Sequence, residues 1–405
     1  MHRRDEGDRM IEFARCDFGE EEKKAVNRVL ESDWLASGNE NKAFEREFAE
    51  YVGAKYAVCC NSGSSANLLA LAGLGLPRGS KVLTSACGFP ATLSPILHLG
   101  LSPVLVDYDF ATHNINVKQV ISQMIMEDVQ AVIFAHTMGI PVNMEPIIKI
   151  AKERGIPVIE DCCEAVGSKY QGRHVGTFGT CGTYSFYPAH QMTALGEGGM
   201  VVTDDETVYH RMMSLRDWGK MYGWDSGQGG NVTDYNSPIG YHRGYTYETV
   251  GWNFKLCEAS AAFGREQLKK LDKFRLSRSV THSLLMEKLG NIPEFTTPLL
   301  PEDCDPCWFG FILTIKDPDT LQRNELGLHL EQVGIRHRPF FAGNLMRHRP
   351  FFVECVGWEN MEFPVANKLM RDTLFIGCHT KVSAEDVDYI TKEIKAYVNS
   401  RNPEL

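Results

Sequence analysis

Between residues 55 and 205 short apolar runs alternate with stretches of helical period, and this rhythm limits the chain to very few architectures. Runs at 55–60, 81–86, 103–109, 131–137 and 157–162 read as strands buried on both faces. Residues 64–74, 90–99, 117–126 and 144–154 carry the helical pattern between them. Such alternation predicts an α/β fold with a mostly parallel sheet and helices on both faces. Ligands on these sheets collect at the carboxyl ends of the strands. Residues 254–272 read as a further helix, and the chain then continues as a smaller α+β unit. The expected division is a large domain over 10–270 and a small C-terminal domain over 271–405. Residues 218–250 are rich in Gly, Tyr and Trp and lack a period, which marks a functional loop.

A chain of 405 residues, 43% hydrophobic, can build two real cores. Its net charge of −10 speaks against nucleic acid or an anionic membrane as partner. No apolar run approaches the roughly 20 residues needed to cross a bilayer. Residues 1–9 are charged, lack the apolar core of a secretion signal and read as a disordered lead. The 12 cysteines are scattered, which fits a reducing cytoplasm better than a disulfide framework. Cys304 and Cys307 have the spacing of a metal or redox pair, but no second pair lies nearby, so a structural role is expected and no metal.

Several short motifs fall at the predicted strand ends. Residues 61–67 follow a strand and open a helix, so free N–H groups and serine hydroxyls at Gly63, Ser64 and Ser65 form a natural phosphate seat. Asp161 closes the run 157–161, which puts its carboxylate at the edge where ligands bind. Residues 335–349 contain four arginines, Arg336 and Arg338 among them, a local positive charge suited to a diphosphate. His242 and Arg243 are further candidates for the same role.

The segment Ser185-Phe186-Tyr187-Pro188-Ala189-His190-Gln191, followed by Gly196-Glu197-Gly198-Gly199, resembles the cofactor segment of the DegT/DnrJ/EryC1/StrS-type sugar aminotransferases. In that family a lysine five positions after the serine binds pyridoxal phosphate covalently. Here an imidazole, His190, fills the slot; it can move protons but cannot hold the cofactor in that way. This exchange is the mark of one subgroup, the nucleotide-sugar 3-dehydratases, such as those acting on GDP-4-keto-6-deoxymannose and CDP-4-keto-6-deoxyglucose. Ala86-Cys87-Gly88-Phe89-Pro90 and Phe341-Ala342-Gly343-Asn344-Leu345 carry the closest likeness.

The resemblance implies an aspartate aminotransferase-like fold of type I, with a seven-stranded sheet. It implies that Gly63, Ser64, Ser65 and Ser185 hold the cofactor phosphate, Asp161 and Glu164 its ring, and Phe89 one face of that ring. Asn253 matches a motif that reaches the phosphate of the neighbouring subunit, so a homodimer with shared sites follows. His242, Arg243, Arg336, Arg338 and Asn344 match substrate-binding positions. Some of these dehydratases carry an iron–sulfur cluster on cysteines of the loop before the Asn253 motif. No cysteine lies between Cys181 and Cys257 here, so no cluster is expected and an amino acid, L-glutamate, is expected to return pyridoxal phosphate to pyridoxamine phosphate. His190 would then take a proton from the cofactor methylene and pass it to the departing hydroxyl, its ordinary pKa of about 6.5 suiting that task. Two other readings remain: a nucleotide-sugar aminotransferase that uses another lysine such as Lys169 or Lys220, and a non-catalytic scaffold or regulator. Because no lysine occupies position 190, borohydride treatment of the cofactor-loaded protein should leave its intact mass unchanged. A stoichiometric cofactor adduct on any lysine would restore the aminotransferase.

Overall fold

The computed structural model describes residues 9–221, 236–358 and 361–401. Residues 1–8 of the expected lead, and 222–235 of the expected loop, lie outside the described residues. Seven strands form the main sheet: β1 Tyr56–Cys60, β2 Lys81–Ser85, β3 Ser102–Val106, β4 Val129–Ala135, β5 Val158–Asp161, β6 Cys181–Ser185 and β7 Gly199–Thr203. Their order is β1-β7-β6-β5-β4-β2-β3. Only β7 runs against the others, pairing antiparallel with both β1 and β6. The sheet is therefore mostly parallel, as the apolar runs predict. Strands β6 and β7 were not among those runs: glycine and hydroxyl residues dilute their apolar signal.

Nine helices from the first part of the chain matter below: α1 Glu20–Glu31, α2 Asn39–Val52, α3 Gly63–Gly73, α4 Pro90–His98, α5 Val117–Met126, α6 Met144–Arg154, α7 Glu206–Arg216, α8 Glu258–Leu268 and α9 Leu271–Leu289. Those expected from periodicity appear within a residue or two, and the expected helix at 254–272 is α8 with its flanks. Helix α3 starts because the Ser62 side chain accepts the Ser65 N–H, the usual way to satisfy an orphan donor at a helix start. Helix α4 has Pro90 in its first turn, where no N–H is needed. Gly155, in the left-handed region at φ 68°, ends α6.

A large core of side chains such as Phe44, Phe48, Leu69, Leu83, Phe134 and Ile159 fills both faces of this sheet. A second core, with Leu285, Phe311, Leu313, Leu330, Ile376 and Ile394, surrounds a small sheet of 295–296, 310–315, 373–377 and 337–339. Ile11 packs into that second core, carried there by a bridge to Ile335. The segment around Cys307 packs tightly on Gly139, where a Cβ would lie 2.2 Å from the Cys307 carbonyl oxygen. Cys304 and Cys307 diverge: the Cys304 thiol faces the Pro141 carbonyl, while the Cys307 N–H donates to Ser168.

The strand that delivers Asp161 is anchored one residue earlier. Glu160 is fully buried and accepts N–H groups from Gly176 at 2.8 Å and Gly179 at 2.7 Å. His136 lies 3.1 Å away and accepts the Val142 N–H at Nδ1, so its Nε2 carries the proton and donates to Glu160. Removing the carboxylate would strand three buried donors. Glu160→Ala should lower apoprotein stability by about 3 kcal/mol in urea unfolding. A loss under about 1 kcal/mol would show that the network does not hold the strand.

Candidate active site

A cavity of about 450 Å³ opens at the carboxyl ends of β5 and β6. Gly63, Ser64, Phe89, Asp161, Glu164, Ser185, His190 and Arg338 all line it, so eight residues singled out from five separate parts of the sequence converge. Ser65 sits one step back, its N–H and hydroxyl engaged with Ser62. Gly63 opens α3 against β6: a Cβ there would fall 2.6 Å from the Ser185 Cβ and 2.8 Å from the Cys163 sulfur. Glycine lets the helix start press directly onto the strand, leaving the first-turn N–H groups beside two serine hydroxyls.

Asp161 is buried, and its carboxylate is held from three directions. Oδ2 accepts the Asn67 amide and the Thr92 hydroxyl, each at 2.7 Å, and Oδ1 accepts the Cys163 N–H at 3.1 Å. Asn67 is itself oriented, because its carbonyl takes the Thr183 hydroxyl at 2.5 Å. No cation pairs with Asp161 among the described residues. A buried anion of this kind suits a cationic ring nitrogen. Beside it, Glu164 accepts the Met138 N–H at 2.7 Å, and Met138 holds a left-handed φ of 60° to deliver it. Burial, with the Asp161 charge adding to it, lifts the Glu164 carboxyl to about 8. It keeps its proton at neutral pH.

His190 follows a turn in which its own N–H donates to the Tyr187 carbonyl at 2.9 Å. Its ring lies 5.2 Å from that of Phe309. Nδ1 is sealed from solvent and has no hydrogen-bond partner. Burial, and then the nearby Arg278 guanidinium, push the imidazole down to about 3. The ordinary value near 6.5 expected from the sequence therefore does not hold: the ring is neutral throughout the physiological range. Phe89 is 53% exposed, an aromatic face turned to open space at the cavity wall. Phe13, Phe309, Phe341 and Phe375 form an apolar wall opposite the acidic groups. Phe341 keeps a left-handed φ of 48°, unusual for a bulky residue.

The remaining sequence candidates lie outside this cavity. Arg336 pairs with Glu331 on the surface, and Arg347 donates to Asn367 at 3.0 Å. Only Arg338 of that cationic segment reaches the cavity, its guanidinium 4.9 Å above the Phe13 ring. Asn344 is buried and caps the turn Leu345–Arg347 by accepting the Met346 N–H. His242 and Arg243 form the turn Arg243–Tyr245 away from the cavity, and Asn253 is exposed beyond it. Asn67, Thr92, Phe13, Phe309 and Glu197 were not anticipated. Asn67 had a signal, since it falls one helical turn after Gly63 and shares its face. Phe13 and Phe309 lie far in sequence from the other cavity residues, and only folding brings them there.

The chain as a whole resembles proteins of known kind. The profile of the DegT/DnrJ/EryC1/StrS aminotransferase family matches residues 17–395. The lipopolysaccharide biosynthesis protein RfbH of Salmonella typhimurium is 36% identical over 385 residues, 90% of this chain and 86% of that protein. A dTDP-4-dehydro-2,6-dideoxy-D-glucose 3-dehydratase of Saccharopolyspora spinosa is 36% identical over 384 residues, 90% of this chain and 81% of that one. The solved structure of Escherichia coli GDP-4-keto-6-deoxy-D-mannose-3-dehydratase with bound hydrated PLP superposes with a TM-score of 0.86 at 29% identity, covering 95% of this chain and 100% of that one. The fold is thus the aspartate aminotransferase-like, type I arrangement.

The raised Glu164 carboxyl has a measurable consequence for the apoprotein. Unfolded, the group loses its proton near pH 4.5, whereas the folded state keeps it to about pH 8. Between these values the unfolded state binds fewer protons, so this group's contribution to stability falls as pH rises. Glu164→Gln should therefore gain stability relative to wild type on going from pH 5 to pH 8 in thermal unfolding. A constant difference across that range would contradict a protonated Glu164.

Proposed function

The chain belongs to the DegT/DnrJ/EryC1/StrS aminotransferase family, and from that premise we propose that it removes the 3-hydroxyl of a nucleotide-linked 4-keto-6-deoxy sugar. L-Glutamate serves as amino donor and His190 as proton carrier. The observation that carries this reading is a neutral imidazole on the wall of a cavity that no lysine lines among the described residues. When bound, pyridoxal phosphate in its amine form supplies a nucleophile for the sugar's keto group and an electron sink for the carbon–oxygen bond that breaks.

The chain's own residues do the rest. Asp161, fixed by Asn67, Thr92 and the Cys163 N–H, keeps the ring nitrogen of the cofactor protonated. Gly63, Ser64 and Ser65 at the start of α3, with the Ser185 hydroxyl, take the phosphate. Phe89 covers one face of the ring, and Glu164 offers a carboxyl that can donate as well as accept. Neutral His190 accepts a proton from the carbon next to the ring. The imidazolium so formed is a strong acid, and it returns the proton to the departing hydroxyl as water leaves. A lysine in its place would return the proton to carbon and complete an amino transfer. Arg338 meets the diphosphate, while the apolar wall of Phe13, Phe309, Phe341 and Phe375 suits the methyl end of a 6-deoxy sugar.

Asn253, His242 and Arg243 stand outside the cavity of their own chain, which supports a homodimer in which they serve the neighbouring site. Arg336 would join the substrate there once freed from Glu331, and Asn344 acts through the turn it caps. The substrates, and cysteines that are all free, suit the cytoplasm. No helix among the described residues is long and apolar enough to cross a membrane.

An aminotransferase would need another lysine, such as Lys169 or Lys220, at the cofactor. Lys169 lies in the short strand Lys169–Tyr170, and the Lys220 ammonium faces Asp217 and Trp218. His190→Asn keeps size and polarity but removes the base, so turnover should fall by roughly 10²–10⁴-fold while cofactor affinity holds. Wild-type turnover in that variant would mean another residue carries the proton.

A further inference from the structure

A buried charge without a partner lies directly behind His190. Arg278, on the inner face of α9, is 3% exposed, and no carboxylate pairs with it among the described residues. Its guanidinium is spent on main-chain carbonyls: Nη2 donates to His190 at 2.8 Å, and Nη1 to Trp308 at 3.1 Å and Phe309 at 3.3 Å. Nε donates to nothing. Gln191 adds a second stitch, its amide reaching the Cys307 carbonyl at 2.8 Å. The backbone of His190 and the segment carrying Phe309, whose ring packs against the imidazole, are thereby clamped together.

Removing one ion from water costs several kcal/mol when no counter-ion answers it. Three carbonyl contacts could be made by an uncharged donor, so the clamp alone does not explain a cation here. We propose that Arg278 is a positioning residue for the proton carrier, which fixes the His190 main chain and whose unanswered charge prevents the imidazole from retaining the proton it accepts. The proposal rests on His190 being that carrier.

The surroundings leave this charge unopposed. From α9 itself comes His282, stacked on Trp308 and held neutral by burial at about 3. Cys307 and Cys378 face the guanidinium as thiols, both pushed up to about 12 by burial. His379 is lowered, by burial first. On the remaining side stand Arg15, Cys16 and Asp17, and Asp17 is already paired with Lys381. Lining the cavity together with His190 are Asp161, neutral Glu164, Glu197, Arg338 and Tyr187, whose ring lies 6.2 Å from the imidazole. Burial and Arg278 both disfavour the protonated ring. A dehydratase gains from this, because an acid poised to lose its proton is what a leaving hydroxyl requires.

The test is a titration of the His190 ring in apoprotein by NMR of ¹³C-labelled histidine, with His190→Asn assigning the signal. Wild type, Arg278→Lys and Arg278→Met are compared, alongside the pH profile of turnover. Wild-type His190 should stay neutral at pH 5. In Arg278→Met it should titrate at least about one pH unit higher than in wild type, with an acid limb entering the rate profile at the same place. Arg278→Lys keeps the charge without the fork, so its titration should follow wild type while kcat drops roughly tenfold at unchanged KM. A wild-type ring that titrates near 6.5, or a titration that Arg278→Met leaves in place, would overturn the proposal. If Arg278→Met does not fold, the wild-type titration and Arg278→Lys decide. Failure of the carrier reading looks different: His190→Asn would then keep its turnover whatever the titration shows.

Discussion

A buried carboxylate with no cation beside it among the described residues is costly, and Asp161 is one, placed at the carboxyl end of β5. Its cost is offset by donors from α3, from α4 and from the turn that follows β5. Each of those donors is positioned by something else. Asn67 is oriented by Thr183 on β6, Thr92 sits one turn into a helix begun by Pro90, and β5 is anchored by the Glu160–His136 pair beneath. The start of α3 presses onto β6 because Gly63 has no side chain. The geometry that stabilises one anion therefore also brings the start of α3 to the cavity.

Arg278 is the counterpart on the other side: a buried cation without an anion, again satisfied only by neutral partners. Two unanswered charges of opposite sign, each expensive on its own, bracket the region between the two cores. Native proteins keep such groups where function uses them. In the proposed reading Asp161 would polarise what binds in the cavity, and Arg278 would act on the side chain that moves protons there.

Much of this was legible in the sequence, for physical reasons that also mark the limit. Five strands announced themselves because a strand buried on both faces is apolar throughout. β6 and β7 stayed hidden behind Gly182, Thr183, Ser185 and Gly199, of which Gly199 lets the strand approach the Ser62–Gly63 backbone at the start of α3. The phosphate turn, Asp161, Phe89 and His190 could be read because each sits at a strand end or in a local motif. Arg338 was found, but the four arginines do not converge on the cavity: Arg336 pairs with Glu331, and Arg347 donates to Asn367. The lowered proton affinity of His190 could not be read at all. It depends first on burial that only the folded chain defines, and then on Arg278, 88 residues away.

Dehydration and amino transfer start from the same cofactor and substrate, and they part at the atom that receives one proton. The products differ in mass. Incubation with GDP-, CDP- and dTDP-linked 4-keto-6-deoxy sugars, pyridoxal phosphate and L-glutamate, read by mass spectrometry, separates them directly. The account predicts a sugar nucleotide that has lost the oxygen at carbon 3 and carries no added nitrogen, with ammonia released in step. A product that keeps that oxygen and gains an amino group would contradict it.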